Sequence, residues 1–477
     1  MTKKRPAISP QPTTPFENDK LRRAASAEYL TEYLLGKHAT RKERNDSNSF
    51  ILNVNAPWGI GKTYFLTNWA ESLRQRGYVV VVFDAWQNDY CEQPLIGFMS
   101  EVEEQLTSAL GRTTKARASL TKLLDSGKKI VSVAPAIIAA TAVKQLTGMT
   151  TDNIGDMATA SAGEVAEKIR DKLYEQNKET KAAIASFKSS LSSIVTHFEE
   201  DSKSKLPIFF FVDELDRCRP NYAIELLETV KHLFGVNGVY FVIATDTEQL
   251  CASVNAVYGE RFSADKYLRR FFHAEYTFPT LDNELYTDYL LSKFGLQNSD
   301  RLVTPSLSPK RTFNISPPNQ NSSFFCAISD LFGLTLRDQE QTAEIIDAVF
   351  LTTGDRKFHF PALLTWAAIK QSRSDIFKDL YDSSARGLKK LQDSFKKDTH
   401  YVGHSDGRTS LKNLSDIVCR IVEWTHETQE RLYERYNHIS HSVDNAILGL
   451  ALNQGTFGDY PELVSNASSI SRGVKSV

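Results

Sequence analysis

The segment Ala56-Pro57-Trp58-Gly59-Ile60-Gly61-Lys62-Thr63 constrains this chain more than any other. It follows a short apolar run, Phe50 to Asn55, and opens a stretch of helical spacing, Thr63 to Gln75. Within that stretch Phe65, Leu66, Trp69 and Leu73 are apolar, and Gly77 ends it. A loop between a strand and a helix turns its backbone N–H groups inward and wraps them around phosphate oxygens. Gly61 lets the backbone approach closely, Lys62 reaches the β- and γ-phosphates, and Thr63 offers a hydroxyl to Mg2+. The usual pattern is G-x-x-x-x-G-K-[ST], with Ala56 here at its first position. All eight residues are expected to line the phosphate site.

Two further buried strands point the same way. Ile208 to Val212 ends in Asp213 and Glu214. Asp213 is placed to hold the Mg2+ shell beside Thr63, and Glu214 to orient and activate a water. An Asp-Glu pair alone reads as a solvated strand end, and the phosphate loop gives it meaning. Val239 to Ala244 ends in Thr245 and Asp246. Either residue can sense the γ-phosphate or the attacking water, or simply cap the next helix. Arg217 either contacts a neighbour's nucleotide or pairs with Asp216. Arg269 and Arg270 suit a phosphate-sensing or arginine-finger role, or a solvated helix face.

The order of elements predicts a doubly wound α/β domain with a mostly parallel sheet. Tyr78 to Phe83, almost all valine, adds a central parallel strand. Residues 95–205 read as a large helical insert. The expected organisation is a disordered arm at 1–18, a nucleotide-binding domain at 19–280, a helical lid-like region at 281–385 and a C-terminal helical region at 386–477. In the lid-like region, helices are predicted at 283–295, 324–332, 339–350 and 361–381, with a surface loop at about 297–322. A long helix is predicted at 411–436, with a frayed tail from Ser465.

Bulk properties exclude several classes. With 57 basic and 58 acidic residues the net charge is −1, so nucleic acid is a possible partner that charge does not indicate. Five scattered cysteines contain no CxxC pair, which argues against structural zinc or a disulfide framework and for a reducing, cytoplasmic setting. The start of the chain is basic and proline-containing with no apolar stretch behind it, unlike a signal peptide. Ile130 to Val143 is uncharged but only 14 residues long, short of the roughly 20 a spanning helix needs. A buried or oligomer-facing helix is the reading, with no spanning helix.

Taken together, the motifs resemble the KAP family of P-loop NTPases. The resemblance rests on Ala56 to Thr63, Phe83-Asp84-Ala85-Trp86, Val212-Asp213-Glu214-Leu215-Asp216-Arg217-Cys218-Arg219-Pro220, Val242-Ile243-Ala244-Thr245-Asp246 and Tyr267-Leu268-Arg269-Arg270-Phe271. Leu334-Thr335-Leu336-Arg337-Asp338 is similar to a segment of the helical lid in bacterial members, which makes Arg337 a candidate second sensor. The resemblance implies an additional-strand P-loop fold, ATP with Mg2+, and hydrolysis that drives a conformational or assembly switch. It further implies self-association or a partner effector protein, and an anti-phage defence setting. Many members carry transmembrane helices between the two nucleotide motifs, and the single 14-residue apolar stretch argues here for a soluble member. Catalysis then falls to Lys62, Glu214, Asp246, Arg269 and Arg270. Three rivals share these motifs: a slow nucleotide-gated scaffold, a nucleic-acid-stimulated motor or sensor, and a small-molecule kinase.

Overall fold

The structure is a computed structural model. It describes residues 14–17, 19–44, 46, 49–111, 113–147, 163–201, 204–278, 283–305, 307–310, 319–382, 385–395, 401–404, 412–438, 443, 446–449 and 457–471. The chain divides into two compact units, Met1–Pro279 and Thr280–Val477.

The first unit is built on five parallel strands: β1 (Phe50–Asn55), β2 (Tyr78–Asp84), β3 (Lys205–Asp213), β4 (Val239–Thr245) and β5 (Ala274–Thr277). Their order is β2-β3-β4-β1-β5, which inserts β4 between the loop-bearing β1 and the acid-ended β3. That is the additional-strand arrangement. Because helices cover both faces, β3 and β4 are continuous apolar runs rather than alternating ones. Alternate residues still divide between two cores. Phe209 and Phe211 face α1 (Arg23–Glu43) and α2 (Lys62–Gln75). Ile208, Phe210 and Val212 face α3 (Pro94–Ala109), α4 (Thr114–Thr147), α5 (Gly163–Glu200) and α6 (Pro220–Leu233). Each fully buried phenylalanine contributes roughly 1.5–3 kcal/mol, so these strands anchor the edge on which the site is built.

The helical insert is α3 to α5. The apolar stretch from Ile130 lies on α4, and its side chains beyond Ser132 fall outside the described residues. No helix among the described residues is long and apolar enough to cross a membrane. Most of the expected N-terminal arm, residues 1–13, also falls outside them. Just beyond, the Phe16 backbone N–H donates to Asn68 Oδ1 at 2.8 Å, and its ring meets Tyr64 and Phe65. The unit is completed by α7 (Thr247–Tyr258) and α8 (Ala264–Leu268). The sequence reading missed β5, a four-residue edge strand with a polar, half-exposed pattern.

The second unit packs helices around α12 (Phe360–Ser372), where Leu363, Leu364, Trp366, Ala367, Ala368 and Ile369 are all buried. The others are α9 (Asn283–Lys293), α10 (Gln320–Phe332), α11 (Leu336–Thr352), α13 (Ser374–Tyr381), α14 (Ala385–Ser394), α15 (Leu414–Thr425), α16 (Gln429–His438) and a last helix at Tyr460–Ser471. Three expectations need correction. The helix expected at 361–381 is two, because Arg373 leaves helical geometry at φ −140°, ψ 58°. The one expected at 411–436 is also two, ending at Thr425 and restarting where Thr428 Oγ1 accepts the Arg431 N–H. The tail expected to fray from Ser465 stays helical to Ser471, with Val464, Ala467 and Ser468 buried.

The expected loop at 297–322 also contains structure. Its strands β6 (Leu302–Val303) and β7 (Leu307–Lys310) pair with β8 (Phe358–His359) and β9 (Tyr401–His404), and β10 (Lys412–Asn413) continues the second sheet. Arg301 fixes the entry, donating to the carbonyls of Arg356 and Phe350 and to Thr353 Oγ1. Pairing of this kind uses backbone groups, so a Ser-, Pro- and Asn-rich sequence gives no apolar sign of it. Residues 306 and 311–318 of that loop lie outside the described ones.

Candidate functional site

The site forms where β1, β4 and β3 end, at the carboxyl edge of the parallel sheet. The Ala56 N–H donates to the Thr245 carbonyl at 3.0 Å and ties the loop base to β4. Gly59 and Gly61 have φ of 81° and 85°, a region that side chains with a Cβ rarely adopt. Ala56 is not among the positive-φ residues. A methyl group there therefore meets no backbone strain, which explains why alanine replaces the first glycine.

Lys62 begins α2 and folds back over the loop. Its Nζ donates to the Ala56 carbonyl at 2.6 Å and lies 3.8 Å from Asp216 Oδ2. Burial lowers its pKa, and the carboxylates of Asp216, Asp246 and Asp213 oppose that shift. The Thr63 hydroxyl lies close enough to Asp213, the last residue of β3, to favour its charged form. Burial pushes the Asp213 carboxyl up, while Thr63 and a bond from the Glu214 N–H (2.9 Å) pull it down. Mg2+ favours oxygen ligands and takes one or two from a protein, the rest from water and phosphate. The Thr63–Asp213 pair fits that demand. Among the described residues no group of three or more potential ligands stands ready to hold an ion alone.

Glu214 has a left-handed backbone, φ 58°. Its carboxylate forms an ion pair with Arg217 at 2.7 Å, and the guanidinium lies 5.5 Å from the centre of the Trp86 ring. The expected Arg217–Asp216 alternative is therefore corrected. Residues 215–217 form a 3-10 turn. In such a turn residues i and i+3 lie over one another, so Arg217 meets Glu214 and Asp216 points elsewhere. Burial raises the Glu214 pKa, which Arg217 opposes and Asp213, Asp84 and Asp216 reinforce. Asp84 is in register with Asp213 across the β2–β3 pair. These contacts account for the Phe83-Asp84-Ala85-Trp86 segment, which places an acid beside Asp213 and a ring near Arg217.

Thr245 and Asp246 have separate fates. Thr245 Oγ1 donates to Asn53 Oδ1 at 2.8 Å. Asp246 is buried and caps α7, accepting the Gln249 N–H at 3.3 Å, while remaining close enough to Lys62 to influence its charge. Asn53 and Asn55 were missed by the sequence reading. Asn53 donates to Thr247 Oγ1 and Glu275, Asn55 donates to Glu275, and the Thr247 N–H donates to Asn55. The readable sign was two asparagines alternating with Leu52 and Val54 in an otherwise apolar strand.

Arg269 and Arg270 do not join this cluster. They follow α8 and precede β5, and the His273 N–H donates to the Ile51 carbonyl near the start of β1. Parallel strands begin at the edge opposite the phosphate loop, so these arginines lie at the far edge. Arg269 is exposed and pairs with Asp265 at 3.1 Å. Arg337 is exposed in the first turn of α11, beside the Thr335–Asp338 capping box of the second unit.

A parallel sheet with an inserted strand, a glycine loop closing on a lysine and a threonine, and an acid pair two strands away define a nucleotide-binding P-loop domain. A model of the KAP family P-loop domain matches residues 23–394, most of the chain. The chain belongs to the KAP family. No curated protein matches it. Among solved structures it is similar to the crystal structure of Cdc6p from Pyrobaculum aerophilum. There the identity is 12% and the TM-score 0.35, over 98% of this chain and 97% of that one, a likeness too slight to argue from.

Proposed function

We propose that this protein is an ATPase that uses Mg2+ and turns hydrolysis into a conformational or assembly switch. The observation that supports this most is the meeting of Lys62 and Thr63 with Asp213 and Glu214 at one sheet edge. A loop alone binds phosphate, and the acids add the means to cleave it. Lys62 exchanges the Ala56 carbonyl for β- and γ-phosphate oxygens. Thr63 and Asp213 hold the metal, and bound Mg2+ supplies positive charge that offsets the charge developing on the phosphate oxygens. Glu214 leaves Arg217, accepts a hydrogen bond from a water and aims it at the γ-phosphorus. The water oxygen–phosphorus bond forms as the bond to the β,γ-bridging oxygen breaks, the water's proton passes to Glu214, and ADP leaves with the bridging oxygen.

The test is phosphate release from ATP by the full chain with Mg2+. Lys62→Ala is expected to lower it by about 100-fold or more, the scale for losing one charge-stabilising donor. Equal rates in the two proteins contradict the reading. Because Arg269 and Arg270 lie at the far edge, we place any role for them on the nucleotide of a second copy. Turnover per chain then rises with protein concentration in the wild type, and mixing Arg270→Ala with Lys62→Ala protein restores activity that neither has alone. A concentration-independent rate removes that role.

One observation favours a second reading, the slow nucleotide-gated scaffold. Glu214 is paired with Arg217 rather than free to engage water. ATP-dependent self-association with less than about one turnover per assembly event supports the scaffold over the ATPase cycle. In either case we read the switch as cytoplasmic and as part of the anti-phage setting that the family resemblance implies. Phage plating on a bacterial strain carrying the intact chain or Lys62→Ala checks that setting, with protection expected only from the intact chain.

A further inference from the structure

We propose that Asp216 and Trp58 form a latch on the phosphate loop, in which Asp216 is the resident counter-ion of Lys62 and incoming phosphate must displace it. This rests on the reading of the loop as a nucleotide site. The Asp216 side chain is 1% exposed, on the 3-10 turn that follows β3, behind the fully buried Leu215. Oδ2 accepts the indole N–H of Trp58 and lies 3.8 Å from Lys62 Nζ. Oδ1 is buried with no hydrogen-bond partner. A buried carboxylate with one oxygen unsatisfied depends heavily on its nearby cation.

Trp58 stands on the loop crest and is 48% exposed, so burial alone does not fix it. Its N–H to Asp216 ties the crest to the turn that carries Glu214 and Arg217. The indole–carboxylate bond thus holds the shape of the loop and sets a negative charge beside the place where phosphate binds. When Lys62 turns to phosphate, Asp216 loses its counter-ion and faces the anion across a short gap. Like charges at that range oppose binding strongly in a partly buried site. Asp216 is a positioning residue that weakens the nucleotide's hold and hastens its release, and Trp58 senses whether Lys62 has moved.

The test is calorimetric titration of the full chain with ADP and with pyrophosphate, without Mg2+, so that metal ligation does not enter. Asp216→Asn keeps the shape and the acceptor for the indole but removes the charge. It is expected to bind both probes about tenfold more tightly than wild type, with the gap narrowing as salt is raised. A purely structural role gives no gain in affinity. In parallel, ADP should change the tryptophan emission of the wild type, and that change should be absent in Trp58→Phe, which carries the test if Asp216→Asn does not fold. Unchanged or weaker binding by folded Asp216→Asn overturns the latch, as does an undiminished emission change in Trp58→Phe. Loss of ADP binding in Lys62→Ala keeps the nucleotide reading standing in either event. Wild-type protein that binds neither probe overturns both.

Discussion

The two units of this chain bury comparable apolar cores and treat charge in opposite ways. Among the described residues every buried aspartate, lysine and arginine belongs to the first unit: Arg23, Lys62, Asp213, Asp216 and Asp246. Four of these five act on one another around the phosphate loop. The buried polar groups of the second unit are uncharged, among them Asn283, Thr287, Asn321, Gln339, Thr365 and Thr425, together with His359, which burial keeps neutral. Burying a charge is costly unless it is paired. A cluster of such charges at one sheet edge marks the place where stability has been traded for chemistry. The second unit shows the same chain folding where no such demand is made.

Substitutions in the second unit should therefore change stability and leave phosphate chemistry alone. The largest such effect is expected at Trp366, which is fully buried, donates to Thr425 Oγ1 at 3.0 Å and packs edge-on against Phe377. Trp366→Ala should destabilise by about 3–5 kcal/mol, measured by denaturant unfolding. The ADP affinity of the folded fraction should stay within a factor of about two of wild type. A proportionate loss of affinity would show that the second unit bears on the phosphate site.

The second unit also responds to pH through His359. Its Nδ1 accepts the Ala362 N–H and caps α12, Nε2 has no partner, and burial pushes its pKa down to about 3 from 6.5. An unfolded histidine takes up a proton that the folded one refuses. The stability linked to this group is therefore full above pH 6.5 and lost progressively as pH falls toward 3. Between pH 7 and pH 5 the loss is about 2 kcal/mol. Protection of the α12 amides, taken as observed exchange relative to the intrinsic rate at each pH, should fall over that range, and should fall less in His359→Asn. Equal pH slopes in the two proteins would remove His359 as the cause.

The smallest effect separates two roles at one residue of the first unit. Asp246 caps α7 and also lies in the field of Lys62. Asp246→Ser keeps a capping oxygen, whereas Asp246→Ala removes it at a cost of about 1 kcal/mol. If capping is its whole role, Asp246→Ser should match wild-type stability and retain turnover within about threefold. A larger loss of turnover in Asp246→Ser returns the residue to the reacting centre.

Legibility follows how local each feature is. The phosphate loop could be read because its strand, glycines, lysine and helix start lie within about a dozen consecutive residues. Asp213 and Glu214 could be read because a buried run stops at them. The pairing of Lys62 with Asp216 could not, since it joins residues 154 positions apart and requires the strand order to be known. The pairing of Arg217 with Glu214 was not among the alternatives the sequence offered, because a 3-10 turn, rather than an extended or α-helical path, sets which neighbour it meets. β5 escaped notice because it has four residues and a half-exposed polar pattern, and it holds its place by backbone pairing to β1. The breaks at Arg373 and near Thr428 interrupt apolar spacing that continues on both sides, so periodicity alone ran through them.

We propose that the charged cluster of the first unit hydrolyses ATP rather than merely holding it. It is tested most directly by Glu214→Gln, which keeps the size and hydrogen-bonding reach of the side chain and removes its basicity. Protein mixed with labelled ATP and Mg2+ is followed for the fraction of bound nucleotide converted to ADP. ATP should bind as in the wild type and persist, with conversion slowed by about 100- to 10,000-fold. Conversion at the wild-type rate contradicts the role given to Glu214 and, with it, the account of this edge of the sheet as a hydrolytic site.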